Sequence, residues 1–459
     1  GMIQPRRKIE GEITVADPEI SKKLWVENNY GYYCDQIAVP YYATYHTPAF
    51  DPKNKLLIEA KELYLKDRTK KDAFIRKPSF HDEEATAEAL ERIRLTVEKH
   101  KKYKPIMYTT DECGVADLLT AWDFDFDPRA LAAMREWLLE QYGSLEAINE
   151  EWGTNFKSID EVVPFTTDEM LERDDYNLSP WADHRFFMNE TFANAIDRGR
   201  KAAHAEDPEA LSGIVGAQAP GTFGGYDYWL LTRVLDVIEP YNIGNNREII
   251  RSLAPGLPCF TTFFRYSNFE IWRLWYQALH GDRGIIIYND SRNAYLDEQG
   301  NFTEIALGFA PHFRELASGV VKQIAHAKPA KNQVSVLYSH RSITAHWRIE
   351  NEHLGKNWLQ RGSYLEYKDS TYLRLREAFV RIIEDNHIEY DFVAYGQLEN
   401  GEFDKMDRKV LILPQVIALS EKEAEAIKRF VERGGTVVAD CIPGLMDGHC
   451  KLLGAGQLD

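Results

Sequence analysis

Apolar positions along this chain gather into short runs: IAVPYYATYH (37–46), PIMYTTDE (105–112), LSGIVGAQ (211–218), LDVIEPYN (235–242), PCFTTFF (258–264) and GIIIYND (284–290). Each run closes on polar residues or on Gly or Pro, and polar and apolar positions do not alternate inside it. That is the signature of strands buried on both faces. Amphipathic stretches at helical period separate them, at 82–103, 128–143 and 183–205. Strand–helix alternation of this kind predicts an α/β fold with a parallel sheet and helices outside it. The number of units suits a (β/α)8 TIM-type barrel better than an open sheet. Two units are then wanting at the front, so the chain is read as a piece that starts inside the barrel and lacks its first strands.

The pattern changes after the helical stretch at 311–327 and the linker KPAKNQ. QVSVLYS, IEYDFVAY, KVLILPQ and TVVADCI read as strands, with helices at LRLREAFVRIIEDNH and EKEAEAIKRFVERGG. This βαβαβ order predicts a flavodoxin-like open sheet. The expected division is therefore 1–331 for the barrel and 332–459 for the second domain, the latter read as incomplete at its C-terminal side. No G-x-G-x-x-G loop or P-loop appears in it, so no nucleotide and no other cofactor is expected.

Composition narrows the partners. At 44% hydrophobic and 28% charged residues, this is an ordinary globular chain, but 24 Tyr, 22 Phe and 10 Trp are many. Such rings either stack on sugars or fill a large core. A net charge of −17 argues against nucleic acid or an anionic membrane as main partner. No apolar run approaches the ~18 residues of a membrane span. Five scattered cysteines, with no C-x-x-C spacing, argue against a disulfide framework and a structural zinc site. A reduced, cytoplasmic setting is compatible, and localisation stays open. Cys441 in ADCIPG lacks the glycine elbow of a nucleophile and reads as a structural thiol.

Chemistry enters at YTTDECG (108–114), where Asp111 and Glu112 end an apolar strand. Two adjacent carboxylates there are costly to desolvate unless something pairs with them or uses them. Asp111 as a helix cap is the plainer reading. Against it, the other strand ends also carry polar or aromatic groups: His46, Gln218, Glu239 with Tyr241 and Asn242, and Asn289 with Asp290. In a barrel all of these converge on the C-terminal face. The Gly/aromatic loop GTFGGYDYW (221–229) offers Tyr226, Tyr228 or Trp229 as sugar-stacking rings. Trp181, Asp183, His184 and Arg185 read as a helix start with a salt bridge, and Trp272 and Trp275 as core. Glycoside hydrolysis needs two carboxyl groups about 5 Å apart for retention or about 6.5–9.5 Å for inversion, one of them protonated. Met107 and Tyr108 supply apolar surroundings and Asp111 a like charge, so Glu112 suits the general acid.

YTTDECG, followed by FDPRALAAMREWLLEQYGSLEAINEEWGTNFKSIDEVVP (126–164), resembles glycoside hydrolase family 42, the β-galactosidase family. Trp137, Leu138, Tyr142, Gly143, Ser144, Leu145, Asn149, Trp152, Gly153 and Thr154 follow that family's pattern in order. The resemblance implies an acid/base Glu after the fourth barrel strand, which Glu112 matches, and Asp111 where an Asn usually contacts the sugar 2-hydroxyl. It implies a nucleophile Glu after the seventh strand, where this chain has Phe264, Arg265 and Tyr266. Glu270 stands later, at a helical position. Glu239 is the tentative second carboxylate, with a turn residue before Pro240 as the equal alternative, and Asp290 and His46 are similarly open. The expected function is hydrolysis of β-galactosides or related β-linked sugars. The alternatives are a carbohydrate-binding pseudo-enzyme that keeps the cleft and a purely structural or assembly role. The second domain resembles the family's trimerisation domain, similar to a class I amidotransferase fold, which implies a homo-oligomer, a trimer.

Overall fold

The computed structural model describes residues 2–3, 31, 33–35, 37, 54–116, 118–264, 266–288, 295, 302–327, 332–362 and 368–458. Five of the six apolar runs become adjacent parallel strands: β2 (Tyr108–Asp111), β3 (Ser212–Ala217), β4 (Val237–Pro240), β5 (Phe260–Phe263) and β6 (Gly284–Ile287). β2, β3 and β4 pair in order, as do β5 and β6. A parallel bridge from Ile238 to Cys259 joins the two groups. β3 to β5 are buried throughout, as their unbroken apolar character requires.

Two expectations at the front are corrected. The two-residue strand β1 (Met2–Ile3) lies parallel to Ile286 and Ile287 on the outer side of β6, so a strand stands where the sequence reading has none. The segment that meets β2 begins upstream of the predicted run and includes its first residue, Ile37. Cys34 bridges Tyr108, and the Ile37 N–H donates to the Thr109 carbonyl at 3.1 Å. The rest of the 37–46 run, His46 included, falls outside the described residues.

Helices cover this sheet because their caps are written locally. Asp82 accepts the Ala85 N–H at 3.1 Å to start Glu83–His100, and Asp127 accepts the Arg129 N–H at 2.9 Å to start Pro128–Tyr142. Ser144 starts Leu145–Trp152, and the long helix Ser179–Glu206 follows. Trp181, Asp183, His184 and Arg185 all lie buried in its first turns.

The second sheet is parallel in the order β10–β9–β7–β8, from β7 (Val334–Tyr338), β8 (Tyr390–Ala394), β9 (Val410–Leu413) and β10 (Thr436–Ala439). Its helices include Thr371–Asp385 and Glu421–Glu432, the latter opened by a Ser420/Glu423 capping box. A helix at His340–Asn351, which the sequence reading leaves out, turns the second domain onto the barrel. There Trp347 meets Trp181 at 5.5 Å between ring centroids, and Trp358 meets Trp122 at 6.4 Å. Trp122, Trp152, Trp181, Trp347 and Trp358 are all fully buried. Much of the aromatic excess is therefore core.

Candidate active site

β2 ends at Asp111, and no helix follows until Pro128, so Asp111 is not a helix cap. Asp111 and Glu112 are both half-buried at the C-terminal end of the strand, and Glu112 takes a left-handed backbone conformation (φ 45°). Its carboxylate Oε1 accepts a hydrogen bond from the Tyr241 hydroxyl, which arrives from the end of β4. Burial first, then the Glu112 charge, pushes the Tyr241 phenol well above its ordinary range, so it remains a donor.

Between these two strands β3 supplies Gly216. The ladder slips there between Val215 and Ala217, and Gly216 has φ +65°. A Cβ at this position would stand 2.5 Å from Glu112 Cγ, 3.2 Å from Asp111 Oδ1 and 3.3 Å from the Tyr241 hydroxyl. Only glycine lets the strand bulge and leaves the Glu112 side chain its place.

Glu239 lies on the other side of that bulge. It is buried, with Oε2 accepting the Gly216 N–H at 2.7 Å and Oε1 accepting the Thr262 N–H at 3.1 Å. Burial pushes its pKa up, while Arg247 acts against that shift. Arg247 itself bonds the carbonyls of Pro240 at 2.6 Å and Phe260 at 3.1 Å and pairs with Asp282 at 2.5 Å. Glu239 thus ties β3, β4 and β5 together, and the glycine whose N–H it holds is the one that stands against Glu112.

The remaining candidates separate. Gln218 is buried and donates to the Gly216 carbonyl at 2.7 Å, so its amide is spent on the bulge. Asn242 is exposed beside Tyr241. Tyr226 is wholly buried with its hydroxyl on the Cys113 carbonyl, and Tyr228 is wholly buried with its hydroxyl on the Gln218 carbonyl. Neither can stack on a sugar. Trp229 packs against the second domain, where a Cβ on Gly396 would meet its indole at 2.3 Å. Its other neighbour is the Arg233 guanidinium, 3.5 Å from the ring centroid. These aromatic residues are removed from the binding set because packing uses their faces.

After β5, Phe264 and Tyr266 are exposed, Tyr266 standing edge-on to Phe309 at 4.6 Å. Glu270 sits in the first turn of the helix Asn268–Leu279, paired with Arg273 at 2.5 Å. It is a shielded ion-pair partner rather than an exposed charge. Arg265 and Asp290 fall outside the described residues. Burial and Asp440 raise the Cys441 thiol to about 11, which leaves it protonated and unsuited to nucleophilic work at neutral pH. Among the described residues no group of His, Cys, Asp and Glu could hold a metal ion. Gly216, Thr262 and Arg247 are the contributors that sequence reasoning missed. A glycine inside an apolar strand was the one available sign.

Residues 110–248 match the family model described as "Beta-galactosidase", and residues 332–457 match that of the "Beta-galactosidase trimerisation domain". The curated β-galactosidase BgaB of a Geobacillus species is 22% identical over 357 residues, 70% of this chain and 49% of its own length. The β-galactosidase LacZ of Heyndrickxia coagulans is 24% identical over 346 residues, 68% of this chain and 48% of its own. The chain thus spans about half the length of these curated relatives. Among solved structures, the cold-adapted β-galactosidase of Rahnella sp. R3 superposes with a TM-score of 0.64 at 16% identity, over 98% of this chain and 67% of that one. The β-galactosidase of Bacillus circulans sp. alkalophilus gives 0.61 at 17%, over 83% and 58%. An exo-carrageenase of Bacteroides ovatus gives 0.59 at 14%, over 93% and 64%. At these identities the superpositions establish the fold, a TIM-type barrel with a trimerisation-type domain.

Proposed function

We propose that this chain, a divergent relative within glycoside hydrolase family 42, hydrolyses β-galactosides or related β-linked sugars with Glu112 as general acid/base. The observation that carries the reading is the placement of Glu112. It directly follows β2 on the face where barrel enzymes keep their chemistry, half-buried, with Tyr241 holding its carboxylate and Gly216 leaving it room. In its protonated form Glu112 donates to the glycosidic oxygen as the bond breaks. The resulting carboxylate then takes the proton of the incoming water. Glu239 is the second carboxylate within this proposal. Its part requires that it exchange its backbone donors for the reacting carbon or for the attacking water.

A second reading, a carbohydrate-binding pseudo-enzyme, draws on one specific observation. Both oxygens of Glu239 are committed to backbone N–H groups, and the end of β5 carries Phe264 and Tyr266 in place of a carboxylate. The test is release of nitrophenol from aryl β-galactosides by the unaltered chain, Glu112→Gln and Glu239→Gln. Turnover that falls about 10²–10⁴-fold in Glu112→Gln supports hydrolysis through that residue. No turnover above the buffer rate in the unaltered chain, with a galactoside still bound by calorimetry, supports the pseudo-enzyme. Self-association is part of the proposal, since residues 332–457 match a trimerisation domain. Light scattering at the mass of a single chain would remove it.

A further inference from the structure

Which side of each strand faces the barrel interior is fixed by one buried cluster. Met107 just before β2, Val215 of β3, Val237 of β4, Phe260 of β5 and Ile286 of β6 meet there, with Tyr33. Their chain neighbours Tyr108, Ile214, Ile238, Phe263 and Ile287 belong to a different cluster, the one that reaches the helices. Phe263 gives the sense directly, because its ring lies 4.1 Å from that of Phe309 on the helix Glu304–Leu316. Side chains alternate from face to face along a strand. Counted in steps of two from Phe260 and Ile286, Phe264 and Tyr288 therefore project on the inner side, at the mouth of the barrel. Asp111 and Tyr241 reach the same side by the same count from Met107 and Val237.

The Tyr288 N–H donates to the Phe263 carbonyl at 2.9 Å, so the ladder runs on past β6 and holds Phe264 and Tyr288 side by side. Their rings meet at 5.5 Å between centroids, inclined at 47°. Phe264 is 36% exposed and Tyr288 38%. A single exposed ring on an outer surface is ordinary. Two that meet at the inner mouth, on the face that carries Glu112, are apolar surface kept out of the core at the place where a substrate lies. The rings of the 221–229 loop cannot serve there, since packing uses the faces of Tyr226, Tyr228 and Trp229.

We propose that Phe264 and Tyr288 are the apolar wall of the sugar site. The C–H face of a neutral β-galactoside lies on the two rings, and its hydroxyls turn to Asp111 and Tyr241. A pyranoside has C–H faces as well as a hydroxylated edge, and its slightly positive C–H hydrogens suit the negative face of an aromatic ring. The ligand class rests on the sugar reading of the cleft, which hydrolysis and binding without turnover share. At the end of β5 the site thus offers a surface that holds the sugar, in the place of a carboxylate that would react with it.

The test is calorimetric binding of methyl β-galactoside to the Glu112→Gln protein, alone and combined with Phe264→Leu, Phe264→Tyr or Tyr288→Leu. Each leucine keeps an apolar side chain and removes the ring, and is expected to weaken binding about 3–10-fold, the size of an aromatic contact beyond its area. Phe264→Tyr, which keeps the ring, is expected to bind as the Glu112→Gln protein does. Because both rings are partly exposed, neither leucine should lower the melting temperature, so a loss of affinity reports on the site and not on the fold. Undiminished affinity in either leucine variant overturns the wall, as does a loss in Phe264→Tyr as large as that in Phe264→Leu. Binding that ignores Phe264 and Tyr288 overturns the wall alone and leaves the sugar reading standing. No galactoside binding in any of these proteins overturns both together.

Discussion

Gly216 shows how much of the cleft depends on a single missing atom. Its φ of +65° costs an L-residue about 1–2 kcal/mol. An added Cβ would also stand 2.5 Å from Glu112 Cγ. Gly216→Ala should therefore lower the melting temperature and push Glu112 off the Tyr241 hydroxyl. Turnover of an aryl β-galactoside is expected to fall at least about tenfold, the equivalent of about 1.4 kcal/mol in the barrier. Unchanged turnover would show that the bulge only shapes the sheet. Glu112 was legible because a carboxylate pair at the end of an apolar strand is unusual. The engagement of Glu239 was not legible, because its donors, Gly216 and Thr262, come from two other strands.

The Trp/Tyr/Gly pattern at 137–154 becomes intelligible at the level of elements. Tyr142 and Trp152, from successive helices, both donate to Asp183 Oδ2 at 2.7 Å, and His449 of the second domain bonds Asp183 Oδ1 at 2.7 Å. Around His449 the C-terminal segment is hooked onto the barrel: the Leu178 N–H donates to the Cys450 carbonyl, and the Leu452 N–H to the Tyr176 carbonyl, each at 3.2 Å. Asp183, Asp447 and Glu151 raise the His449 pKa against the effect of burial, while burial and Glu151 raise Asp447 to about 6. The stability that His449 contributes is complete below its unfolded value of about 6.5 and is lost as pH rises through the raised folded value. Asp447 binds its proton more tightly folded than unfolded, so it too takes stability away as pH rises, from its ordinary 3.8 to about 6. Both act in one direction. The melting temperature should be higher at pH 6 than at pH 8.5, and His449→Ala should narrow that difference. A melting temperature that rises across the interval would contradict the hook.

Over the whole molecule, the barrel and the second domain are not beads on a string. One hydrophobic cluster runs through both, from Trp122 and Trp181 to Trp347 and Trp358. Polar bonds cross the same boundary. Asp227 accepts from the Tyr395 hydroxyl at 2.7 Å and from Tyr338 at 3.2 Å, and Asp168 accepts from Trp358 Nε1 at 2.7 Å. Asp227→Ala would leave two tyrosine hydroxyls without their acceptor, a loss of about 3 kcal/mol when each unmet group costs about 1–3 kcal/mol. Calorimetry should then show one transition moved down as a unit. Two separate transitions, only one of them shifted, would show that the domains unfold independently.

Periodicity within each segment was sufficient to determine the strands from 105 to 290, the second parallel sheet and the strand end that carries Glu112. Strand burial and helix caps are written in residues that adjoin along the chain. Tertiary structure alone decided which strand-end side chains face the cleft. Tyr226, Tyr228 and Trp229 look identical to sugar-stacking rings in sequence, yet Cys113, Gln218 and Gly396 claim them from more than one part of the fold. The pairing of Phe264 with Tyr288 has the same origin, since their rings meet only because β5 and β6 lie side by side. Exposure, and the presence or absence of a hydrogen-bond partner, are relations between segments that meet only when the chain has folded.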